Sequence, residues 1–285
     1  MAGHISHKLS RRRGGNILLF IVLGLLAVFM VVPLVYVINN AFKPIEELFL
    51  FPPKLFVQHP TTDNFIDLFN LLSDSGMPFF RYLFNTLFVT VTGTVVQVIL
   101  ASLCAYSLAK IPFPGAKIVF NMIVLSLMFS PVVTQVPNYI MMVKVGFMDT
   151  YMAMLLPAFA SSLGLYLIKQ FMESTIPDSL LEAARIDGAG ETLIFFRVVM
   201  PLLKPAWLTL IILSVQSLWN MTSPYTFSET LKTMPQALSQ IVAGGIARAG
   251  VGSAVSLLMM LLPVLCFVIM QSNIIETMST SGMKE

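Results

Sequence analysis

Charged side chains are scarce in this sequence, and their scarcity excludes an ordinary water-soluble fold. Only 11% of the 285 residues are Asp, Glu, Lys or Arg, whereas soluble domains carry about 25%. The hydrophobic fraction is 56% and the mean hydropathy is +0.84. Because so few charges cannot cover a surface that faces water, we expect lipid to surround much of the chain. The formal charge of +3 is small, so no nucleic-acid partner is predicted.

Residues that build catalytic or metal sites are also missing. The two cysteines, Cys104 and Cys266, lie in apolar runs and are interpreted as small buried hydrophobes, with an intramembrane disulfide as the alternative. The three histidines have no ligand spacing, so no metal site is predicted. No Gly-x-x-x-x-Gly-Lys-Ser/Thr motif occurs, so the chain is not expected to hydrolyse ATP. The apolar runs contain no paired carboxylates and no nucleophile with its base, so an enzyme is not predicted.

What the sequence has instead is six long uncharged runs. They predict six transmembrane helices, at residues 16–40, 82–109, 118–138, 150–170, 205–224 and 251–275. The first run is too long for the apolar part of a signal peptide, so residues 1–15 are interpreted as an N-terminal tail and 16–285 as the transmembrane domain. Lys and Arg favour the segments on the side of the N-terminus by eleven to six. This bias predicts a multi-pass protein with both termini in the cytoplasm, and the inverted topology is disfavoured.

Apart from Lys169 at the end of the fourth, no predicted span contains Asp, Glu, Lys or Arg, which argues against coupling to protons or ions. Uncharged polar and aromatic side chains in or beside the spans could line a path for a neutral polar solute. Each of them could instead form a hydrogen bond between helices. These candidates are Gln97, Tyr106, Ser130, Gln135, Asn138, Tyr139, Ser161, Ser162, Tyr166, Gln216, Trp219 and Asn220.

One charged segment, residues 175–201, lies between the fourth and fifth spans and is predicted to form two helices joined by a turn. Thr175 with Asp178 resembles a capping box at the start of the first helix. Gly188 is expected to end that helix, because the residue past a helix end often needs a positive φ. The second helix is predicted from about Glu191 until Pro201 stops it.

The first of these helices would present a small flat surface, Ala183 and Ala184, between the charged residues Glu182 and Arg185. Small side chains allow another protein to approach closely. Asp187 would cap the second helix or pair with Arg197. The alternative is an ordinary amphipathic loop that covers the end of the helix bundle.

This segment resembles a family motif. Glu182-Ala183-Ala184, followed by Gly188 and by Val198-x-Met200-Pro201, is similar to the EAA loop of binding-protein-dependent ABC importer permeases. The family pattern ends in Ile-x-Leu-Pro, so Val198 and Met200 depart from it mildly. Residues 175–201 are called the EAA segment below.

Other segments resemble the carbohydrate-importer permeases related to the maltose system. They are Asn85-Thr86, Ala-Tyr-Ser-Leu-Ala-Lys at 105–110, Phe-Pro-Gly at 113–115, Gly-Phe-Met-Asp-Thr at 146–150 and Trp219-Asn220. Met221 stands where that group usually has an acid, and the C-terminal tail keeps only fragments of the usual ending. These departures leave the transported solute open.

The resemblance implies an all-α, six-transmembrane-helix ABC type I permease fold in the cell membrane. It also implies a second permease subunit, usually a different chain, an ATPase dimer that binds ATP and Mg, an extracellular solute-binding protein and a carbohydrate substrate. The residues that would couple the chain to the ATPase are Glu182, Ala183, Ala184, Arg185, Asp187, Gly188 and Pro201. Alternatives are a permease for another small solute, such as a polyol or a peptide, or a stand-alone channel or secondary transporter.

Overall fold

The computed structural model describes residues 13–74, 76–243 and 248–281, which contain helices and no strand. The helices are α1 (Arg13–Ala41), α2 (Ile45–Leu48), α3 (Asp63–Asp74), α4 (Phe79–Lys110), α5 (Ala116–Ser126), α6 (Pro131–Val145), α7 (Tyr151–Phe159), α8 (Ser162–Thr175), α9 (Asp178–Ile186), α10 (Glu191–Ile194), α11 (Met200–Leu202), α12 (Lys204–Trp219), α13 (Met234–Val242) and α14 (Ala249–Ser281). A π-helical segment, Phe195–Val199, joins α10 to α11, and Glu229–Leu231 forms a 3-10 turn. The predicted all-α class is confirmed. Residues 1–12 of the predicted tail lie outside the described residues.

Most of the predicted spans fall on helices of suitable length. Within the described part of the chain, the helices long and apolar enough to cross a membrane are Leu19–Ala41, Phe79–Lys110, Tyr151–Thr175 and Ala249–Ile269. A fifth span results if Glu191–Leu202 and Lys204–Trp219, which are bent by 78° at their junction, count as one. Four of the six predicted spans coincide with these helices, the fifth coincides with the bent pair if that pair is one span, and the third differs.

The third predicted span, residues 118–138, is not one continuous helix. It is divided between α5, which ends at Ser126, and α6, which begins at Pro131. Ser130 has an extended backbone (φ −66°, ψ 139°), and its hydroxyl accepts a hydrogen bond from the Val132 N–H. Proline disfavours helical geometry in the residue before it and suits the first turn of a new helix, which explains the break.

The fourth predicted span is interrupted as well. α7 ends at Phe159, and α8 begins at Ser162 after the extended residues Ala160 and Ser161. The Ser161 hydroxyl caps the new helix by accepting from the Gly164 N–H at 3.0 Å. The chain therefore continues as two consecutive helices.

The structure consists of two compact units: Met1–Leu68 with Gly245–Leu257, and Phe69–Gly244 with Leu258–Glu285. In the second unit, α4 packs against α7, α8 and α12. Gly93 of α4 faces Leu218, and Gly164 of α8 faces Leu210; a Cβ atom at either glycine would lie 2.7 Å from the leucine Cδ1. These glycines therefore let the helices approach more closely than larger residues would allow.

In the first unit, polar groups organise the chain after α1. The loop that begins at Lys43 contains α2 and α3. Lys43 is 2% exposed, and its Nζ donates to Asn40 Oδ1 at 2.7 Å. The Asn64 side chain, also buried, donates from Nδ2 to the carbonyls of Ala41 at 3.0 Å and Lys43 at 2.7 Å. These bonds satisfy carbonyls that the end of α1 leaves without helical partners.

We expect Gly250→Ala to destabilise the first unit. Its Cβ would lie 2.1 Å from Asn64 Oδ1, so the amide would have to move and give up both of its hydrogen bonds. Loss of a buried hydrogen-bond partner costs about 1–3 kcal/mol, which should lower the thermal unfolding midpoint of the detergent-solubilised protein.

Gly24→Ala provides the matched control, because a Cβ there meets nothing within 4 Å inside α1. Its unfolding midpoint should stay the same or rise slightly, since alanine favours helix over glycine. Equal midpoints for both variants would show that Asn64 does not hold this unit together.

Candidate functional site

The first helix of the EAA segment begins later than its capping-box pattern predicts. Thr175 is the last residue of α8, and α9 starts at Asp178 after the extended residue Pro177, with no side-chain cap. Ile176 and Leu181 are each 1% exposed and belong to the apolar core of the second unit. The buried isoleucine between the helices fixes the chain direction, so the predicted cap is wrong and α9 is positioned by packing.

The predicted turn at Gly188 is confirmed. Its φ is +82°, in the left-handed region that favours glycine. The Gly188 N–H donates to the Arg185 carbonyl and the Ala189 N–H to the Ala184 carbonyl, each at 3.0 Å. This pair of bonds is a Schellman motif, which ends a helix sharply and satisfies its last carbonyls.

Pro201 does not stop the second helix of the EAA segment as expected. The chain stays helical through α10, the π-helical segment and α11, and Pro201 lies within α11. The Met200 N–H donates to the Phe195 carbonyl, a wider turn than in an α-helix. Such a turn relieves the crowding that proline causes in a regular helix. The bend comes at Leu203, before α12.

The two predicted contact alanines do not share one accessible surface. Ala184 is half-buried against the apolar core, whereas Ala183 is exposed. The exposed face of α9 is formed by Glu182, Ala183 and Ile186, and Ile186 is 86% exposed. Within the part of the chain that the structure describes, Glu182 has no hydrogen bond or ion pair. A charged group and an apolar group are thus both available on this face.

One carboxylate joins the two helices of the EAA segment to α4. Glu191 Oε1 accepts from Arg185 Nε at 2.7 Å, and Glu191 Oε2 accepts from the Tyr106 hydroxyl. The Arg185 guanidinium and then the Tyr106 hydroxyl hold the pKa of the Glu191 carboxyl below its usual value, so it is ionised at neutral pH.

This network corrects two expectations. Tyr106, a predicted pathway residue, is 4% exposed and packs against Phe195 beneath the EAA segment. Asp187 neither caps α10, whose N-cap is Gly190, nor forms an ion pair with Arg197 among the described residues. Glu191, rather than Asp187, forms the ion pair at this turn, because the turn at Gly188 brings the Glu191 carboxylate to Arg185.

A second contact joins the start of α9 to α4. Lys110 Nζ donates to Asp178 Oδ1 at 2.7 Å and to the Ile176 carbonyl at 2.6 Å. An open groove of about 730 Å³ runs beside these residues, between α9 and the segment after α4. Glu182 and Arg185 are among its lining residues. Sequence reasoning missed both Lys110 and Glu191, because their partners are distant along the chain or separated by a turn without helical periodicity.

The predicted pathway residues are spread over the second unit. Gln135, Asn138 and Tyr139 are exposed on α6, and the Tyr139 ring lies 6.4 Å from that of Tyr225. Tyr166 stacks on Phe120 at 6.1 Å between ring centroids.

The pathway residues of α12 have different environments. Gln216 and Asn220 are exposed, and Asn220 Nδ2 donates to the Gln216 carbonyl. Trp219 is 2% exposed, and its indole N–H donates to the Met259 carbonyl at 3.0 Å. Trp219 therefore holds helices together, which is the alternative role that the sequence left open.

Two of the predicted residues meet at a small cavity whose lining combines polar and apolar side chains. Gln97 and Ser161 line an open cavity of about 240 Å³ between α4, the α7–α8 break and α12, together with Ser214 and Ser217. The Ser214 hydroxyl is buried and has no hydrogen-bond partner among the described residues. Ser162 lies outside this cavity and accepts from the Ser126 hydroxyl at 2.7 Å. Ser214 and Ser217 were missed, although they are uncharged polar residues in a predicted span like those that were chosen.

At the other end of α4, the Asn85-Thr86 motif holds the segment before α13. Asn85 is fully buried; its Nδ2 donates to the carbonyls of Thr230 and Lys232, both at 2.9 Å, and its Oδ1 accepts from the Tyr151 hydroxyl at 2.6 Å. Thr86 Oγ1 accepts from the Met234 N–H at 2.7 Å. The motif is therefore explained by backbone recognition.

Asp149 fastens the same segment from another loop. It has a positive φ of 56°, and its Oδ1 accepts from the N–H groups of Phe227 and Ser228, both at 2.9 Å. The Ser228 hydroxyl donates to Oδ2. The Ser228 hydroxyl, followed by the N–H groups of Ser228 and Phe227, keeps the pKa of the Asp149 carboxyl below its usual value. The stabilisation is therefore present at neutral pH and is lost as the pH falls through this lowered pKa.

We expect Asp149→Asn to loosen the loop at Phe227 and Ser228. Asparagine tolerates the same positive φ, so the substitution removes the charged acceptor with little backbone strain. Hydrogen bonds to a charged group contribute about 1.5–3 kcal/mol, so amide hydrogen exchange at Phe227 and Ser228 should accelerate by about tenfold or more at pH 7.

Asp187→Asn is the control for the charge change, since Asp187 is exposed and has no side-chain partner among the described residues. It should leave exchange at both amides unchanged. Unchanged exchange in Asp149→Asn would contradict the fastening role.

Comparison with known proteins places these features in one family. A sequence profile described as "Binding-protein-dependent transport system inner membrane component" matches residues 2–279. The polygalacturonan/rhamnogalacturonan transport system permease protein YtcP of Bacillus subtilis (strain 168) is 31% identical over 247 residues, 84% of this chain and 84% of that protein. The arabinooligosaccharides transport system permease protein AraQ of the same organism is 28% identical over 272 residues, 94% of each chain.

A solved structure has the same fold. It is a chain of the crystal structure of a bacterial ABC transporter involved in the import of the acidic polysaccharide alginate. The TM-score is 0.76 at 22% identity, and the match covers 95% of this chain and 99% of that chain. The likeness over nearly the full length of both chains supports the predicted permease fold class.

Proposed function

Because the chain belongs to the family of binding-protein-dependent transport system inner membrane components, we propose that it forms half of the translocation pathway of an ATP-binding-cassette importer for a sugar or oligosaccharide. The observation that carries this proposal is the exposed face of α9, held from below by the core of its own unit. A partner that docks on this face would account for the charged and apolar side chains exposed there.

The partners follow from this role. A separate ATPase dimer binds ATP and Mg, since this sequence has no phosphate-binding loop of its own. A second permease chain completes the pathway, and an extracellular binding protein delivers the solute. Both termini and the EAA segment lie on the cytoplasmic side, as the distribution of Lys and Arg favours.

Coupling uses the face of α9 as a docking surface. Glu182, which has no partner in the described residues, pairs with a basic ATPase side chain, and Ala183 and Ile186 pack against the cleft around it. Closure of the ATPase around nucleotide displaces α9 as a rigid body, and the helices packed behind it switch between inward-open and outward-open arrangements. Purification of the permease with its ATPase tests this assembly, and a permease that transports alone would contradict it.

The names of the relatives and the cavity at Gln97 support a carbohydrate as the solute. YtcP is named for the transport of polygalacturonan/rhamnogalacturonan and AraQ for that of arabinooligosaccharides. The polar residues that line the cavity, Gln97, Ser161, Ser214 and Ser217, carry amide and hydroxyl groups. Such groups suit the hydroxyls of a sugar.

We expect Gly188→Ala to reduce ATP-driven uptake in reconstituted vesicles by about tenfold. A side chain at φ +82° costs roughly 1–2 kcal/mol, which the chain relieves by shifting the end of α9. The matched control is Gly190→Ala, because Gly190 has φ −73° and open space where a Cβ would lie. Similar uptake by both variants would argue against a role for this turn.

We expect Ser214→Val to lower uptake of the sugar that co-purifies with the cognate binding protein. The added methyl groups would narrow the cavity that Ser214 lines, so uptake should fall by about tenfold, since one added methylene in a pocket costs about 1–3 kcal/mol.

Thr209→Val controls for altered packing of α12. Its hydroxyl already donates to the Pro205 carbonyl at 2.9 Å on an exposed face, so uptake should remain normal. Normal uptake in Ser214→Val would exclude this cavity from the solute pathway.

A further inference from the structure

Both ends of α9 are joined by side chains to the same helix. At its start, Asp178 accepts from Lys110; near its end, Arg185 reaches Tyr106 through the Glu191 carboxylate. Tyr106 and Lys110 are four residues apart, so they lie on one face of α4 in its last turns. Two contacts one helical turn apart thus hold a nine-residue helix at both of its ends.

From its position in the chain, α9 would be expected to move with its neighbours in the sequence rather than with α4. Its chain neighbours are α8, which ends at Thr175, and α10, beyond the turn at Gly188. Both connections pass through non-helical residues: the extended pair Ile176 and Pro177 on one side and the left-handed Gly188 on the other. These residues interrupt the helix on both sides of α9, so core packing and the two polar contacts to α4 position it.

Glu191 supplies the charged acceptor of the second contact. The Arg185 guanidinium belongs to α9 and the Tyr106 hydroxyl to α4, and within the described part of the chain the Glu191 carboxylate is the one group that accepts from both. The Tyr106 ring is buried and packs on Phe195 at 5.6 Å between centroids, so its hydroxyl has little freedom to find another partner. The acid therefore aligns a mobile guanidinium with a fixed hydroxyl.

We propose that Glu191 is a positioning residue that makes α9 and α4 move as one body, so that α4 is the membrane helix through which displacement of α9 reaches the pathway. The inference rests on the proposed coupling role of α9. It adds that α4 is the membrane helix that moves with α9 and that Glu191 holds these two helices together.

The partial exposure of the Arg185–Glu191 ion pair favours a role in positioning α9 over a role in folding stability. The side chains of Arg185 and Glu191 are 38% and 47% exposed, and ion pairs of that kind contribute little to folding stability. Removing Glu191 should therefore leave the subunit folded and assembled. Its effect should appear when the ATPase displaces α9.

The test uses the whole transporter, with its partner permease, ATPase dimer and binding protein, in lipid nanodiscs. Spin labels at Cys104 on α4 and at an introduced Ser179→Cys on α9, with Cys266→Ser, report the distance between the two helices. In the parent protein this distance should be the same without nucleotide and after trapping with ATP and vanadate. In Glu191→Ala and Tyr106→Phe it should change on trapping, and solute imported per ATP hydrolysed should fall about fivefold or more.

Glu173→Gln is the matched control. Glu173 accepts from Lys169 at 2.6 Å and is 42% exposed, so its ion pair resembles that of Glu191, but both partners lie on α8. This variant should keep the constant distance and the parental coupling ratio. The exchange Arg185→Glu with Glu191→Arg should recover both, since a tyrosine hydroxyl can also accept from arginine.

A covalent link distinguishes joint movement from simple stabilisation. A short thiol crosslinker between Lys110→Cys and Asp178→Cys replaces the ionic contact at the start of α9. Retained ATP-driven import after crosslinking agrees with one moving body, whereas blocked import shows that α9 must leave α4 and overturns the proposal.

The outcomes separate this inference from the function on which it rests. If Gly188→Ala uncouples transport while Glu191→Ala keeps a constant distance and full coupling, α9 couples the ATPase but Glu191 does not position it. If neither substitution affects coupling, the proposed function of α9 fails as well.

Discussion

The second unit of this protein depends on the packing of one long helix, α4. Its buried face runs along α7, α8 and α12, and most of its polar residues lie on that face rather than toward lipid. Glycine residues at the contacts let the helices meet closely. In lipid, where apolar burial gives little drive for association, such close packing and interhelical hydrogen bonds hold helices together.

Each end of α4 carries side chains that fasten a segment distant along the chain. Asn85 and Thr86 bind the backbone before α13, whereas Tyr106 and Lys110 reach the EAA segment. Charged and amide groups concentrate at these ends because the hydrocarbon interior offers them no solvent. One helix thus connects the loop structure on one side of the protein to that on the other.

The fold class and the EAA segment could be predicted from the sequence because each has a local signal. Long uncharged runs indicate membrane helices, and a glycine such as Gly188 is favoured where the backbone turns with positive φ. The breaks at Ser130 and Ser161 were missed because hydropathy averages over a window and gives little weight to a single proline or serine. The role of Tyr106 was misjudged because residue type alone cannot show whether a hydroxyl faces a pathway or a neighbouring carboxylate.

By itself, the sequence determined that this protein crosses a membrane, that it lacks an ATP-binding loop, and that a charged hinge-containing segment lies between its later spans. Those properties follow from composition and from residues that are close along the chain. Only the tertiary structure decided that Glu191, Arg185 and Tyr106 meet, and that Ser214 joins Gln97 at one cavity. Such contacts depend on how helices rotate and pack against one another, which no local pattern specifies.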